Sequence, residues 1–182
     1  METQKANSFV DYLLIAPPHI EHAPFRKSVI FVFSHDKNGA MGLVLNRLLD
    51  RITLNSFFQE TSLEGVTLLP IYEGGPEESE RSFILYTQPQ KEYEDQKRLF
   101  SVTPTLDFSP PGKIDPPHIL LTLGYTSWEP GQLEDELQND MWLLLKATPE
   151  YIFHTPVLEK WSTAIKKLVG QVTCLAPISG HA

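Results

Sequence analysis

The chain has 182 residues, 41% apolar and 21% charged, with 23 acids against 15 bases for a formal net charge of −8. That length and balance suit one soluble domain with a sizeable core, and exclude coiled-coil, collagen-like and wholly disordered classes. A single cysteine, Cys174, excludes an internal disulfide and any multi-cysteine metal site, and no apolar run nears the roughly 18 residues of a membrane helix. Residues 1–8 are polar, lack the pattern of a signal peptide and are expected to form a flexible tail; with one cysteine, the chain reads as cytoplasmic.

In chain order, Phe9–Ala16 reads as an extended segment stopped by Pro17-Pro18. Ser28–Ser34 (SVIFVFS) is a continuous apolar run and predicts a strand buried on both faces. Asn38-Gly39 predicts a hairpin turn into Ala40–Leu45. Thr53 is placed to cap a short helix, Leu54–Glu60. Leu68–Tyr72 predicts a strand closed by Gly74-Gly75-Pro76. A charged turn with Glu77, Glu78, Glu80 and Arg81 then leads into a strand at Phe83–Tyr86. Residues 88–98 read as a polar loop, and the prolines of 104–117 as an extended surface loop.

His118–Leu123 predicts a further buried strand, ended by Gly124. Pro130 is expected to open a helix whose first turns hold Glu134, Asp135 and Glu136, where the helix dipole favours acids, with Leu133 and Leu137 on the buried face. Met141–Leu145 predicts a strand. A last helix is expected from the Thr155-Pro156 start through Leu158, Trp161, Ile165 and Leu168, closed by Gly170. Strands and helices without steady alternation indicate α+β, folded as one domain over 1–182.

P-loop, dinucleotide-binding, nucleophile-elbow and zincin motifs are all absent, as is a basic helix-turn-helix. The chain therefore reads as holding no cofactor and no metal. His19-x-x-His22 is a metal pair only if helical, and the adjacent prolines favour a surface loop. His35 ends a core strand beside Asp36, as a binding group or base, or as a turn histidine bonded to backbone. Gly39-Ala40-Met41-Gly42 permits close approach of a ligand, or of backbone alone. Gly74 and Gly75 could expose N–H groups to an anion, or make a tight reversal. The stretch from Gly124 to Glu136 is the richest: Tyr125 and Trp128 offer aromatic faces, Gln132 a carboxamide. Glu134 and Glu136 lie two apart and point to different helix faces, so they cannot form one acid/base pair within the helix; capping and core packing are the plainer reading.

The segments GAMGLVLN (39–46), YEGGP (72–76) and LGYTSWEPGQLEDEL (123–137), with LLIAPP (13–18), Trp142 and Trp161, resemble the AlgH/YqgE family of bacterial proteins from about Tyr12 to Ala182. The resemblance implies an α+β domain with a branched mixed β-sheet partly closed into a barrel and surrounded by helices. Members are often labelled transcriptional regulators, and no catalytic residue carries over. The chain departs from the family pattern at Pro17-Pro18, at Tyr86 and across the proline-rich 101–117.

Three functions follow as expectations. The first is a non-catalytic module binding a small molecule or a protein partner through His35, Asn46, Gly74, Gly75, Tyr125, Trp128, Gln132 and Glu134. The second is a regulator acting indirectly or on DNA, which net −8 and only scattered basic pairs (Arg26-Lys27, Lys97-Arg98, Lys166-Lys167) disfavour as direct binding. The third is a hydrolase with His35 as base and Glu134 or Glu136 as acid.

Overall fold

The computed structural model describes residues 8–20, 25–49, 70–88, 98–105 and 119–175. Within them lie strands β1 (Tyr12–Ile15), β2 (Val29–Asp36), β3 (Gly39–Val44), β4 (Ile71–Glu73), β5 (Glu77–Thr87), β6 (Phe100–Pro104), β7 (Ile119–Trp128) and β8 (Leu143–Lys146). Helix α1 spans Gln132–Gln138 and α2 Lys160–Leu175, preceded by a π-helical turn at Glu150–His154 and a 3₁₀ turn at Val157–Glu159. The predicted helix at Leu54–Glu60, most of the 88–98 and 104–117 loops and the first seven residues lie outside the described residues.

The strands form one sheet in the order β6-β5-β7-β3-β2-β1-β8. All neighbours on this path pair antiparallel. β4 branches off it by pairing parallel to β7. The sheet is thus branched and mixed, as the resemblance implied, and the class is α+β. The expected barrel closure is not made: the path ends at β6 and β8, leaving an open half-barrel.

Why β1 and β2 are apolar throughout follows from the layers. Leu13, Ile15, Val29 and Phe31 face a core shared with Phe100, Tyr151 and Ala164 of α2. Leu14, Ile30 and Val32 face a second core with Trp128, Trp142 and Leu133 of α1. Both alternating sets are fully buried, so a polar residue on either face would lose its water without a partner.

Four expectations are corrected. Gly124 does not end its strand: β7 continues to Trp128 because Gly124 takes φ +69° and lets the strand pass a bulge in β5. There Ser82 pairs with Leu123 and Glu77 with Tyr125, so the charged residues between them form a bulge within β5. Pro130 is not helical: it precedes Gly131, whose left-handed φ of +82° makes the N-cap of α1. Gly170 does not close α2, which runs to Leu175, and Leu158 is 92% exposed. Finally, Phe100–Pro104 forms a strand not foreseen in the sequence. A proline is tolerated there because β6 is an edge strand.

Glycines make the branch at β7 possible. A Cβ on Gly74 would lie 2.3 Å from the Gly124 carbonyl oxygen, and one on Gly124 would lie 2.4 Å from the Gly75 oxygen. Backbone rests on backbone, so Gly124→Ala combines a clash with a left-handed φ. A loss of at least about 2 kcal/mol is expected, read as a lower urea midpoint.

Lys160 is 1% exposed. Its Nζ donates to the carbonyls of Ile152 (2.5 Å) and Tyr151 (3.3 Å), satisfying carbonyls of the π-helical turn, and the Tyr151 hydroxyl donates to the Lys160 carbonyl (2.5 Å). Burial lowers Lys160 from 10.5 to about 8. The unfolded chain therefore binds the extra proton between these values, and stability should rise with pH across that window, by on the order of 2 kcal/mol between pH 8 and 10. Urea denaturation of the wild type against Lys160→Met at both pH values checks it: the variant should lack this rise.

Candidate ligand site

The C-terminal end of β7, the β2–β3 hairpin and α1 converge. Antiparallel register sets Ala40 beside Trp128, Met41 beside Ser127 and Gly42 beside Thr126. The GAMG segment works here by being small. A Cβ on Gly39 would lie 2.2 Å from the Trp128 carbonyl oxygen, and one on Gly42 would press on Ile30 and on the Trp128 ring.

Two cavities flank this junction and share Ser127 and Trp128. The first, about 310 Å³, opens among Ser34, Asp36, Asn38, Gly39, Met41 and Glu129. The second, about 110 Å³, lies among Phe25, Trp128, Gln132, Glu136, Met141 and Trp142.

One carboxylate organises the second cavity. Glu136 Oε2 accepts the indole N–H of Trp128 (2.8 Å) and of Trp142 (2.7 Å), and Oε1 accepts Gln132 Nε2 (2.8 Å). Gln132 in turn accepts the Glu129 backbone N–H at 3.0 Å, bracing the turn before α1. The i,i+4 spacing of Gln132 and Glu136 puts both on one helix face.

Glu134 points elsewhere, as its spacing predicted. Its Oε1 lies 3.0 Å from His35 Nε2. His35 Nδ1 accepts the Phe9 N–H at 3.1 Å, so the ring proton sits on Nε2 and is donated to Glu134. The Phe9 ring stacks on the imidazole with centroids 5.1 Å apart. The side chain of His35 is only 4% exposed. His35 is thus a clasp joining the chain's first described segment, β2 and α1, with neither nitrogen free to take a proton from a substrate.

The remaining candidates sit apart from the cavities. Asn46 accepts the Val29 N–H (2.9 Å) and donates to the Lys27 carbonyl (2.7 Å), tying the end of β3 to the start of β2. Gly74 spends its N–H on the Leu123 carbonyl (2.7 Å) at the β7 branch, with Gly75 against Tyr125. The Tyr125 hydroxyl donates to Glu78 (3.3 Å), and burial with that nearby charge raises it. Arg81 beside Glu78 holds that carboxyl below its usual range. Ser127 gives both its hydroxyl and its N–H to Glu77.

Of the eight candidates, the cavities bring together Trp128 and Gln132, while His35 and Glu134 form their own pair. Sequence reasoning missed Phe25 and Met141 as lining residues, for which no signal existed. It had no place for Trp142 beyond the resemblance and weighed Glu136 as a capping residue, a ligand contact or an acid, not as the acceptor shared by two indoles. Among the described residues no three His, Cys, Asp or Glu side chains cluster to hold a metal, and no helix is long and apolar enough to cross a membrane.

Fold and site together define a strand-rich α+β domain with a tryptophan-walled cavity at the end of its branching strand. Residues 13–173 match the family profile described as AlgH-like, and the chain belongs to that family. A UPF0301 protein of Idiomarina loihiensis is 36% identical over 97% of this chain and all of its own length. One of Vibrio parahaemolyticus is also 36% identical, over 96% of this chain and all of its own. The solution structure of the AlgH protein from Pseudomonas aeruginosa covers both chains fully at 29% identity, with a TM-score of 0.68. The crystal structure of a Corynebacterium diphtheriae protein shares the fold at 22% identity, with a TM-score of 0.71 over 98% of this chain and 92% of that one.

Truncating His35 removes two hydrogen bonds and a ring stack. His35→Ala is expected to cost roughly 1–3 kcal/mol and to speed amide exchange at Phe9 well beyond that at β2, as measured by NMR.

Proposed function

We propose that the chain is a cytoplasmic, non-catalytic binding module that holds a small molecule or a short segment of a partner at the cavities around Ser127 and Trp128. The observation that carries this reading is the second cavity, where aromatic walls and a few fixed polar groups meet at a strand end.

Commitment of the polar groups favours binding over turnover. His35 has both nitrogens engaged, and Glu136 is taken up by two indoles and a carboxamide. A hydrolase using a His/Glu pair would need one of these released. Direct action on DNA is disfavoured by the net charge of −8. In the basic pairs, Lys27 lies over the Trp161 ring and Lys167 over that of Tyr151, while Arg98 donates to the Phe33 carbonyl. A regulator that acts through a bound ligand or partner remains within this reading.

Thermal shift against metabolites, nucleotides and short duplex DNA at low salt tests it. A ligand at 100 times its Kd adds about 2.7 kcal/mol, a rise of several degrees for a chain of this size. The expected result is a small-molecule hit. Met41→Glu should remove it if it sits in the first cavity, and Met141→Lys if in the second. A shift given only by DNA and lost with added salt would replace this reading with the regulator one.

A further inference from the structure

We propose that the smaller cavity is an aromatic cage for a small molecule bearing a quaternary ammonium head. The inference rests on the binding-module reading and names the ligand class of one of its two cavities.

Three aromatic side chains line the space. Trp128 and Trp142 stand nearly perpendicular, at 80° with centroids 6.5 Å apart. Phe25 and Trp142 do the same, at 75° and 5.6 Å. Rings set at right angles offer more than one π face to a single guest, and a cation over such a face is attracted by the ring quadrupole.

The charge in the cavity has the matching sign. Glu136 carries a carboxylate whose three bonded donors are all neutral: two indoles and one amide. None of the ion pairs among the described residues involves it. The nearby Glu134 is bound to His35 on another face. Among the described residues, a negative field therefore stands between aromatic walls without a cationic partner.

Those same bonds select the kind of cation. Glu136 spends most of its acceptor capacity on the indoles and Gln132. A primary ammonium would bring three N–H donors and find few acceptors, leaving donors desolvated and unpaired. A quaternary ammonium has no N–H to satisfy and binds through charge and ring contact alone. Its methyl groups also suit the apolar lining of Ala16, Ile20 and Met141. The volume of about 110 Å³ equals roughly three or four waters at about 30 Å³ each, room for one compact head group.

The test is a titration of the full chain with choline chloride at constant ionic strength, followed by NMR at the three indole N–H groups and run in parallel with dimethylbutanol, the neutral carbon isostere. Trp128 and Trp142 should shift saturably and by more than Trp161, whose indole N–H donates to the carbonyl of the lining residue Ala16. The alcohol should bind at least about tenfold more weakly. Glu136→Gln, which keeps an oxygen for the indoles and loses the charge, should weaken choline about tenfold and bring the two probes level. Should that variant fail to fold, Met141→Lys places a cation at an exposed lining position and should weaken choline far more than the alcohol. Equal binding of both probes to the wild type would overturn the cation preference while the module reading stood. No response to either would overturn the cage, and only a blank across the thermal-shift series as well would remove the module reading.

Discussion

Everything at the candidate site depends on one strand serving too many partners. β7 pairs with β5 along one edge, with β4 over the first half of the other and with β3 over the second half. Such a branch brings main chains together where side chains would normally hold them apart. Gly74, Gly75 and Gly124 remove the side chains at that crossing, and the bulge in β5 takes up the surplus length. Only then can Thr126–Trp128 run on past the branch to lie against the hairpin, which sets the walls of both cavities.

The acidic stretch of α1 follows from the same placement. Seven residues are too few for a helix to stand on intrinsic propensity, and Gly131 supplies no side-chain cap. Leu133 anchors α1 in one core layer, and two carboxylates fasten its other faces: Glu134 to His35 and Glu136 to the two tryptophans. The acids that look catalytic as a list of residues are chiefly fastenings. Their half-buried positions also leave Glu136, among the described residues, as a charge without an ion pair in an aromatic setting.

How much was legible in the sequence divides along physical lines. Strands buried on both faces announce themselves as apolar runs, so β2 and most of β7 were readable, as was the hairpin at Asn38-Gly39. Boundaries at glycine and proline were not. A glycine that permits a strand to cross another reads the same as one that ends it, and Gly124 did the former. Gly170 sits in the middle of a helix at a position open to solvent, where lacking a Cβ costs little packing. β6 is short and ends in proline, and its pairing with β5 is invisible to local pattern. At the site, Trp128 and Gln132 were readable because polar and aromatic residues gathered at a strand end. Phe25, Trp142 and Met141 reach the cavity from other parts of the chain, and only the tertiary fold joins them. Asn46 and the glycines carried equally strong local signals, yet their task is to hold backbone.

The pairing of β1 with both β2 and β8 has a consequence for biogenesis. Residues 12–15 are zipped to residues 143–146, although β1 leaves the ribosome well before β8. At synthesis rates of about 5–20 residues per second, that edge of β1 waits roughly 6–26 s for its second neighbour. Throughout that interval one edge of an apolar strand, meant to be covered on both faces and both edges, stays without its partner β8. The nascent chain thus carries an open β-edge that is attractive to other unfinished chains or to a chaperone. That edge is most open to such encounters in the seconds before β8 is made.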